Sequence, residues 1–261
     1  MVMILLPPSE GKTVPQTNEV LNLSAFSFAD LTSIRSKVID SLVKVSEGRV
    51  STARKVLSVT ANQDAEIERN HQLRDKPVAP AMHVYTGVLF DAIGIESLTK
   101  SAMKNFSRDT YVVSALFGLI SVNDCIPAYR LSGSATLPRI GTLSSLWNAP
   151  VARVLSNCDE FIIDLRSGTY QKLGQIPAEA APNAVVPRIL QKMPSGPPKV
   201  VSHHNKSTKG RIVRAIAQSG KSVKSVDALA QIVAGLGADV EIIHPSNPAK
   251  PLGLDVIVPV L

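Results

Sequence analysis

The stretch ILLPPSEGKT, residues 4–13, decides how this chain is read, because it ends in the Gly-Lys-Thr that also ends a nucleotide-binding P-loop. A P-loop needs a glycine five residues before its Gly-Lys pair, so that successive backbone N–H groups curl around a phosphate, and a helix that starts at the lysine. Leu6 stands at that glycine position, and Pro15 follows soon after Lys12. Proline is tolerated in a first helical turn, so the missing glycine is the stronger objection. The stretch reads instead as a short apolar strand, Met3 to Leu6, stopped by Pro7-Pro8 and delivering Ser9, Glu10 and Lys12 into a loop. A loop at the end of a buried strand is a common place for functional side chains. A solvated polar turn is the other reading.

Working outward, residues 30–47 place Leu31, Ile34, Val38, Leu42 and Val45 at helical steps, with Asp30 positioned to cap the start and Gly48 to end the helix. Residues 49–72 continue in helical style. Apolar, β-branched runs predict strands at Tyr111–Leu116, Phe161–Leu165, Val200–Ser202, Val240–Ile243 and Val256–Val260. Helical patterns fall near 89–104, 142–156, 208–219 and 225–236, the last opened by Ser225. Residues 245–253 link the last two strands as an antiparallel hairpin, and Pro177, Pro182, Pro187, Pro194, Pro197 and Pro198 mark a long irregular connection. Strands separated by helices of uneven length predict a mixed α/β (α+β) fold, a single domain over 1–261 with a mixed sheet flanked by helices.

The 261 residues suffice for a sizeable core, and 44% apolar content with near-zero mean hydropathy predicts a soluble globular protein. The apolar opening, Val2 to Leu6, is too short for a signal-peptide core or a membrane span. Cys125 and Cys158 are the two cysteines and form no CxxC pair, so no disulfide framework or zinc ribbon is expected, and a cytoplasmic location is. Net charge is +7, and the span 180–226 holds nine Lys and Arg residues with no Asp or Glu. Such asymmetry is the footprint of a polyanion-binding face, although a solvated surface short of acids gives the same count.

Taken in order, MILLPPSEGKT at the start, HVYTGVLFDAIG at 83–94, SALFGLISVNDCIPAYRL at 114–131, SLWN at 145–148, FIIDLRSGTYQKL at 161–173 and VVSHHNKSTKGRIVRAI at 200–216 resemble the YaaA family of peroxide stress proteins. The resemblance covers roughly residues 1–218 and rests on the ordered set. Members of that family open with Ser-Pro-Ala-Lys; here the lysine is Lys12, behind Pro-Pro-Ser-Glu-Gly. The resemblance implies a mixed α/β fold with a helix-hairpin-helix-like element and a positively charged cleft. It also implies double-stranded DNA binding and a role in limiting iron-driven oxidative damage to DNA.

In a mixed sheet the loops leaving strand ends gather on a few faces, so Ser9, Lys12, Tyr85, Thr86, Arg130 and Asp164 are expected to converge in one polar cleft. Tyr85-Thr86-Gly87 offers a phenol, a hydroxyl and a flexible glycine to a sugar or phosphate, or is a plain turn. Tyr129 and Arg130 are the types that stack on bases and grip phosphates. Trp147 either fills the core or stacks. Asp164 can orient a lysine, bind a metal through water, act as a base, or simply pair with Arg166, with Tyr170 as a further polar partner.

In HHNKSTKGR, 203–211, Ser207 or Thr208 is placed to cap a helix whose first turn, with Lys206, Lys209, Arg211 and Arg214, binds phosphate, Gly210 allowing close approach. Adjacent His203 and His204 in a strand point to opposite faces, so no metal site is expected, and no cofactor. One reading is therefore a DNA-binding protein holding duplex phosphates with a basic region and Lys12 and Arg130. A second is an enzyme acting on a nucleotide or nucleic acid in the pocket around Lys12, Arg130 and Asp164. A third, an iron-handling protein, lacks the His, Cys and Glu cluster it needs.

Overall fold

The structure, a computed structural model, describes residues 2–200 and 202–259, without the side chains of 202–204. Among the described residues its main sheet has seven strands: β1 (Val2–Leu6), β2 (Thr110–Ser114), β3 (Gly118–Ser121), β4 (Phe161–Asp164), β5 (Ala184–Gln191), β6 (Asp239–Ile243) and β7 (Leu252–Val258). Their spatial order is β6-β7-β5-β4-β1-β2-β3. The five inner strands are all parallel, and an antiparallel strand closes each edge, β6 on β7 and β3 on β2. β1 lies within the parallel block with all five residues buried, which is why its sequence is a continuous apolar run and not an alternation.

Among the described residues the α-helices are α1 (Thr32–Glu47), α2 (Val50–Leu57), α3 (Asp64–His71), α4 (Ala81–Val84), α5 (Val88–Ile93), α6 (Lys100–Asp109), α7 (Leu143–Ser156), α8 (Gly168–Gln171), α9 (Ser202–Ser219) and α10 (Val226–Ala234). The fold class is the mixed α/β expected, in one domain. No helix among the described residues is long and apolar enough to cross a membrane.

Four local expectations are corrected. β5 runs through the segment expected to be irregular and contains Pro187. β4 pairs with β5 only at Ala184 and Val185, while β7 pairs from Val185 to Gln191, so Pro187 lies where β5 has a single partner, the edge-like setting in which proline is tolerated. Val200–Ser202 is not a described strand: Lys199 makes one isolated bridge to Gln191, Val201 lies outside the described residues, and Ser202 already begins α9. The helix near 89–104 is two helices, broken where Gly94 takes a left-handed φ of 59° and restarted by Thr99, whose hydroxyl accepts the Ala102 N–H at 3.2 Å. Asp30 sits inside a 3-10 turn, Ala29–Leu31, and leaves α1 without a side-chain cap.

Two buried polar side chains tie helices to the sheet. Arg35 of α1, fully buried, donates to the carbonyls of Phe117 (2.9 Å) and Leu119 (2.7 Å), covering the β3 edge, and burial lowers its guanidinium to about 10. Trp147 of α7 is also fully buried and donates to the Ala115 carbonyl at 2.9 Å. It occupies the space over Gly118, where a Cβ would come within 2.6 Å of its ring, so Trp147 serves packing and no face of it is open to a base.

Candidate functional site

From β1 the chain goes to β2 on one side and later returns to β4 on the other. The boundary between β1 and β4 is therefore the place where loops leave the carboxyl ends in opposite directions, the usual ligand crevice of such sheets. The loop after β1 carries Ser9, Glu10 and Lys12, and the loop after β4 carries Arg166.

Backbone lacing fixes the first loop. The Ser9 hydroxyl donates to the Gly11 carbonyl (2.5 Å) and accepts the Thr86 N–H (3.0 Å), while the Thr13 N–H reaches the Val84 carbonyl at 2.9 Å. Lys12 and Tyr85 face each other across an antiparallel bridge. The loop is thus stitched to the turn between α4 and α5, where Gly87 takes a φ of 90°.

Lys12, half-buried, donates from Nζ to the Ser9 carbonyl at 2.7 Å and lies over the Tyr129 ring, 4.2 Å from its centre, and the Tyr85 ring, 5.5 Å. Burial is the main cause that lowers this ammonium to about 7; Arg130 adds to it, and Glu66 and Glu10 oppose it. Beneath it runs a hydrogen-bonded chain. Ser114 Oγ accepts the Leu116 and Phe117 N–H groups, both at 3.1 Å, so its own hydrogen goes to Tyr129 Oη at 2.7 Å. Tyr129 in turn donates to Tyr85 Oη at 3.0 Å. Burial raises both phenols above the usual tyrosine range and keeps them protonated.

Arg130 stands beside Lys12. Its Nη2 meets the Glu10 carboxylate at 3.2 Å, and its buried Nε has no acceptor among the described residues. Its backbone is held from α3 by Asn70, which is fully buried: Asn70 Nδ2 donates to the Arg130 carbonyl (2.7 Å) and Oδ1 accepts the Arg130 N–H (2.9 Å). Glu66 and Arg69 of the same helix pair with each other and contribute to the field at Lys12. We expect Asn70→Ala to lower unfolding stability by about 1–2 kcal/mol, because two backbone groups of the half-buried Arg130 lose their partners. Urea denaturation checks this, and a loss within error would mean that Asn70 does not hold the Arg130 backbone.

At the end of β4, Asp164 and Arg166 form a buried two-pronged ion pair, with both Nε–Oδ1 and Nη2–Oδ2 at 2.8 Å. The Arg166 N–H adds a third bond to Asp164. Of the roles left open for Asp164, the ion pair is the one this geometry realises. Tyr170, half-buried, accepts the Gly133 N–H, and its phenol is raised mainly by burial, with Glu10 and Arg130 also acting on it. Lys209 reaches in from α9 to the Leu165 carbonyl at 2.9 Å; burial lowers its ammonium and Asp164 opposes this.

The structure thus brings Ser9, Lys12, Tyr85, Thr86, Tyr129 and Arg130 together, with Asp164, Arg166, Tyr170 and Lys209 at the neighbouring strand end. It places the others apart. Lys206 and Arg211 are exposed on α9. Gly210 is buried, and the backbone that approaches it closely is that of α5. Arg214 donates to the Ile93 and Gly94 carbonyls and the Ser97 hydroxyl, closing the C-terminal end of α5. Ser207 and Thr208 lie inside α9, not at its start, so the expected anion-binding first turn is not there. The side chains of His203 and His204 lie outside the described residues. Among those described, no three His, Cys, Asp or Glu side chains gather as metal ligands would. Asn70 and Ser114 carry no signal in the sequence beyond being polar.

A family model described as peroxide stress protein YaaA matches residues 2–237. The UPF0246 protein SCO2297 of Streptomyces coelicolor is 36% identical over 259 residues, 98% of each chain. The UPF0246 protein CE1889 of Corynebacterium efficiens is 38% identical over 245 residues, 92% of this chain and 95% of its own. The uncharacterized protein Cj0984 of Campylobacter jejuni is 24% identical over 173 residues, 65% of this chain and 69% of its own. The family match runs from β1 through α10 and so takes in both strand-end loops and the basic α9: this chain belongs to the YaaA family of peroxide stress proteins.

Proposed function

We propose that this chain acts in the cytoplasm during peroxide stress, holding duplex DNA by its phosphates and so helping to limit iron-driven oxidative damage to it. The observation that carries the reading is the charge left over once internal contacts are subtracted. Of the nine cations in 180–226, Arg188 is committed to Asp255, Lys209 to the end of β4 and Arg214 to α5. Lys192, Lys199, Lys206, Arg211, Lys221 and Lys224 are exposed, and none forms an ion pair among the described residues. They follow β5, ride on α9 and flank the start of α10, in a span without one carboxylate to compensate them.

Exposed cations of this kind bind phosphate by releasing counterions, with little preference for base sequence. In this reading α4, the Tyr85-Thr86-Gly87 turn and α5 form the helix-hairpin-helix-like element, and Lys12 and Arg130 line the deeper part of the cleft. The whole of 1–261 is taken as one functional unit.

Six phosphate contacts predict a loss of about 10³-fold in duplex affinity between 50 and 200 mM salt. The double variant Lys206→Ala/Arg211→Ala should weaken binding and reduce the slope of log affinity against log salt by about 2. Fluorescence anisotropy with a duplex of arbitrary sequence measures both. A salt-independent affinity, or an unchanged slope in the variant, would end the reading.

A further inference from the structure

We propose that Lys12 is an amine nucleophile that forms an imine, and that the crevice around it takes a substrate bearing an aldehyde or ketone together with a phosphate. This goes beyond duplex binding and does not depend on it.

A neutral amine has two N–H hydrogens and one lone pair. The carbonyls of its own loop, Ser9 at 2.7 Å and Glu10 at 3.4 Å, take the two hydrogens and leave the lone pair for an electrophile. The nearby Glu10 carboxylate is turned to Arg130 and not to the amine. The aromatic faces of Tyr129 and Tyr85 wall the amine and favour its charged form, as do Glu66 and Glu10; burial, Arg130 and Arg69 favour the free base. The balance puts the amine at about 7, so a large fraction is nucleophilic at neutral pH, as an imine-forming lysine requires.

Beside the amine lies an anion site. Among the described residues, the buried Nε of Arg130 has no acceptor, and its Nη2 is met only by a carboxylate whose side chain is 77% exposed. Glu10 therefore stands where a substrate phosphate would, and swinging into solvent it frees the guanidinium fork for two-pronged binding. Asn70 holds the Arg130 backbone while this happens.

The step balances simply. The Lys12 lone pair adds to the carbonyl carbon, the carbonyl oxygen takes up a proton, and the resulting carbinolamine loses water. The nitrogen gives up both hydrogens, which leave with that oxygen, and a C=N bond replaces C=O.

The test is reductive trapping on the full chain with sodium cyanoborohydride, which converts the imine to a stable secondary amine. The probes are glyceraldehyde 3-phosphate, unphosphorylated glyceraldehyde and a duplex oligonucleotide with one abasic site. Intact mass and peptide mapping should show one adduct, on Lys12, at least tenfold faster with a phosphate-bearing probe and half-maximal near pH 7. Lys12→Arg, checked for an unchanged melting temperature, should abolish it, and Arg130→Gln should erase the preference for phosphate. Faster reaction with the sugar phosphate or with the abasic strand supports the site in either case and tells which source supplies the substrate. Labelling spread over surface lysines such as Lys206 and Lys221, or unchanged in Lys12→Arg, would overturn the proposal, whereas loss of duplex binding leaves it intact.

Discussion

Asp164→Ala is expected to lower unfolding stability by about 3–5 kcal/mol, because it strands a buried guanidinium without its counter-charge. Arg166 is 2% exposed and spends three of its N–H groups on Asp164, including its backbone amide. What remains after the substitution is a weak bond to the Tyr170 carbonyl at 3.4 Å. Removing both partners costs less than removing one, since no charge is then left buried: Asp164→Leu/Arg166→Met should recover much of the loss. Guanidinium denaturation of Asp164→Leu, Arg166→Met and the double variant measures the coupling. If Asp164→Ala costs under about 1 kcal/mol, the pair is not the anchor of the β4 loop. The pair also acts at a distance of one residue. Lys209 binds the Leu165 carbonyl beside it, and Asp164 is what resists the lowering of that ammonium by burial. Without Asp164 the Lys209 proton becomes easier to lose, so Asp164→Ala should shift Lys209 reactivity toward lower pH.

How much of this was legible in the chain follows from what each residue does locally. Pro7-Pro8 after an apolar run says strand then loop, and β1 with its Lys12 loop is there. The β6–β7 hairpin was legible for the same reason, two apolar runs on either side of proline and glycine. β5 was not, because Pro187 breaks a ladder on one side only, and which side is free is decided by how far β4 extends, a matter of tertiary arrangement. The start of α9 was hidden because its first turns are polar; its apolar face begins at Ile212 and Val213, where the period can first be read. In the site, Lys12, Tyr85 and Arg130 were legible because their chemistry is conspicuous in loops. Asn70 was not, since a lone asparagine in a polar helix reads as solvated until its partner, 60 residues away, is known. Lys209 and Arg214 show the opposite difficulty. Charge along a chain does not say which cations turn inward, and these two are held by carbonyls of β4's loop and of α5.

Gly210→Ala separates packing from binding on α9. A Cβ at Gly210 would lie 2.2 Å from the Leu89 carbonyl oxygen and 2.7 Å from the Ala92 Cβ, atoms held by the frame of α5 that no rotamer change can move. The helices must part, which costs about 3 kcal/mol, the upper end for overpacking. Alanine returns up to about 1 kcal/mol of helix propensity, so a net loss of about 2–3 kcal/mol is expected. The displacement would carry Lys209 away from the Leu165 carbonyl and Arg214 from the end of α5, because both side chains leave the same helix within a turn of the glycine. Lys206 and Arg211, already in solvent, keep their exposure. A stability loss with the duplex salt slope unchanged is therefore the expected pair of results, read from urea denaturation and anisotropy on one preparation. An unchanged stability with a flattened slope would mean that Gly210 serves phosphate approach and that the close contact with α5 is not what selects glycine there.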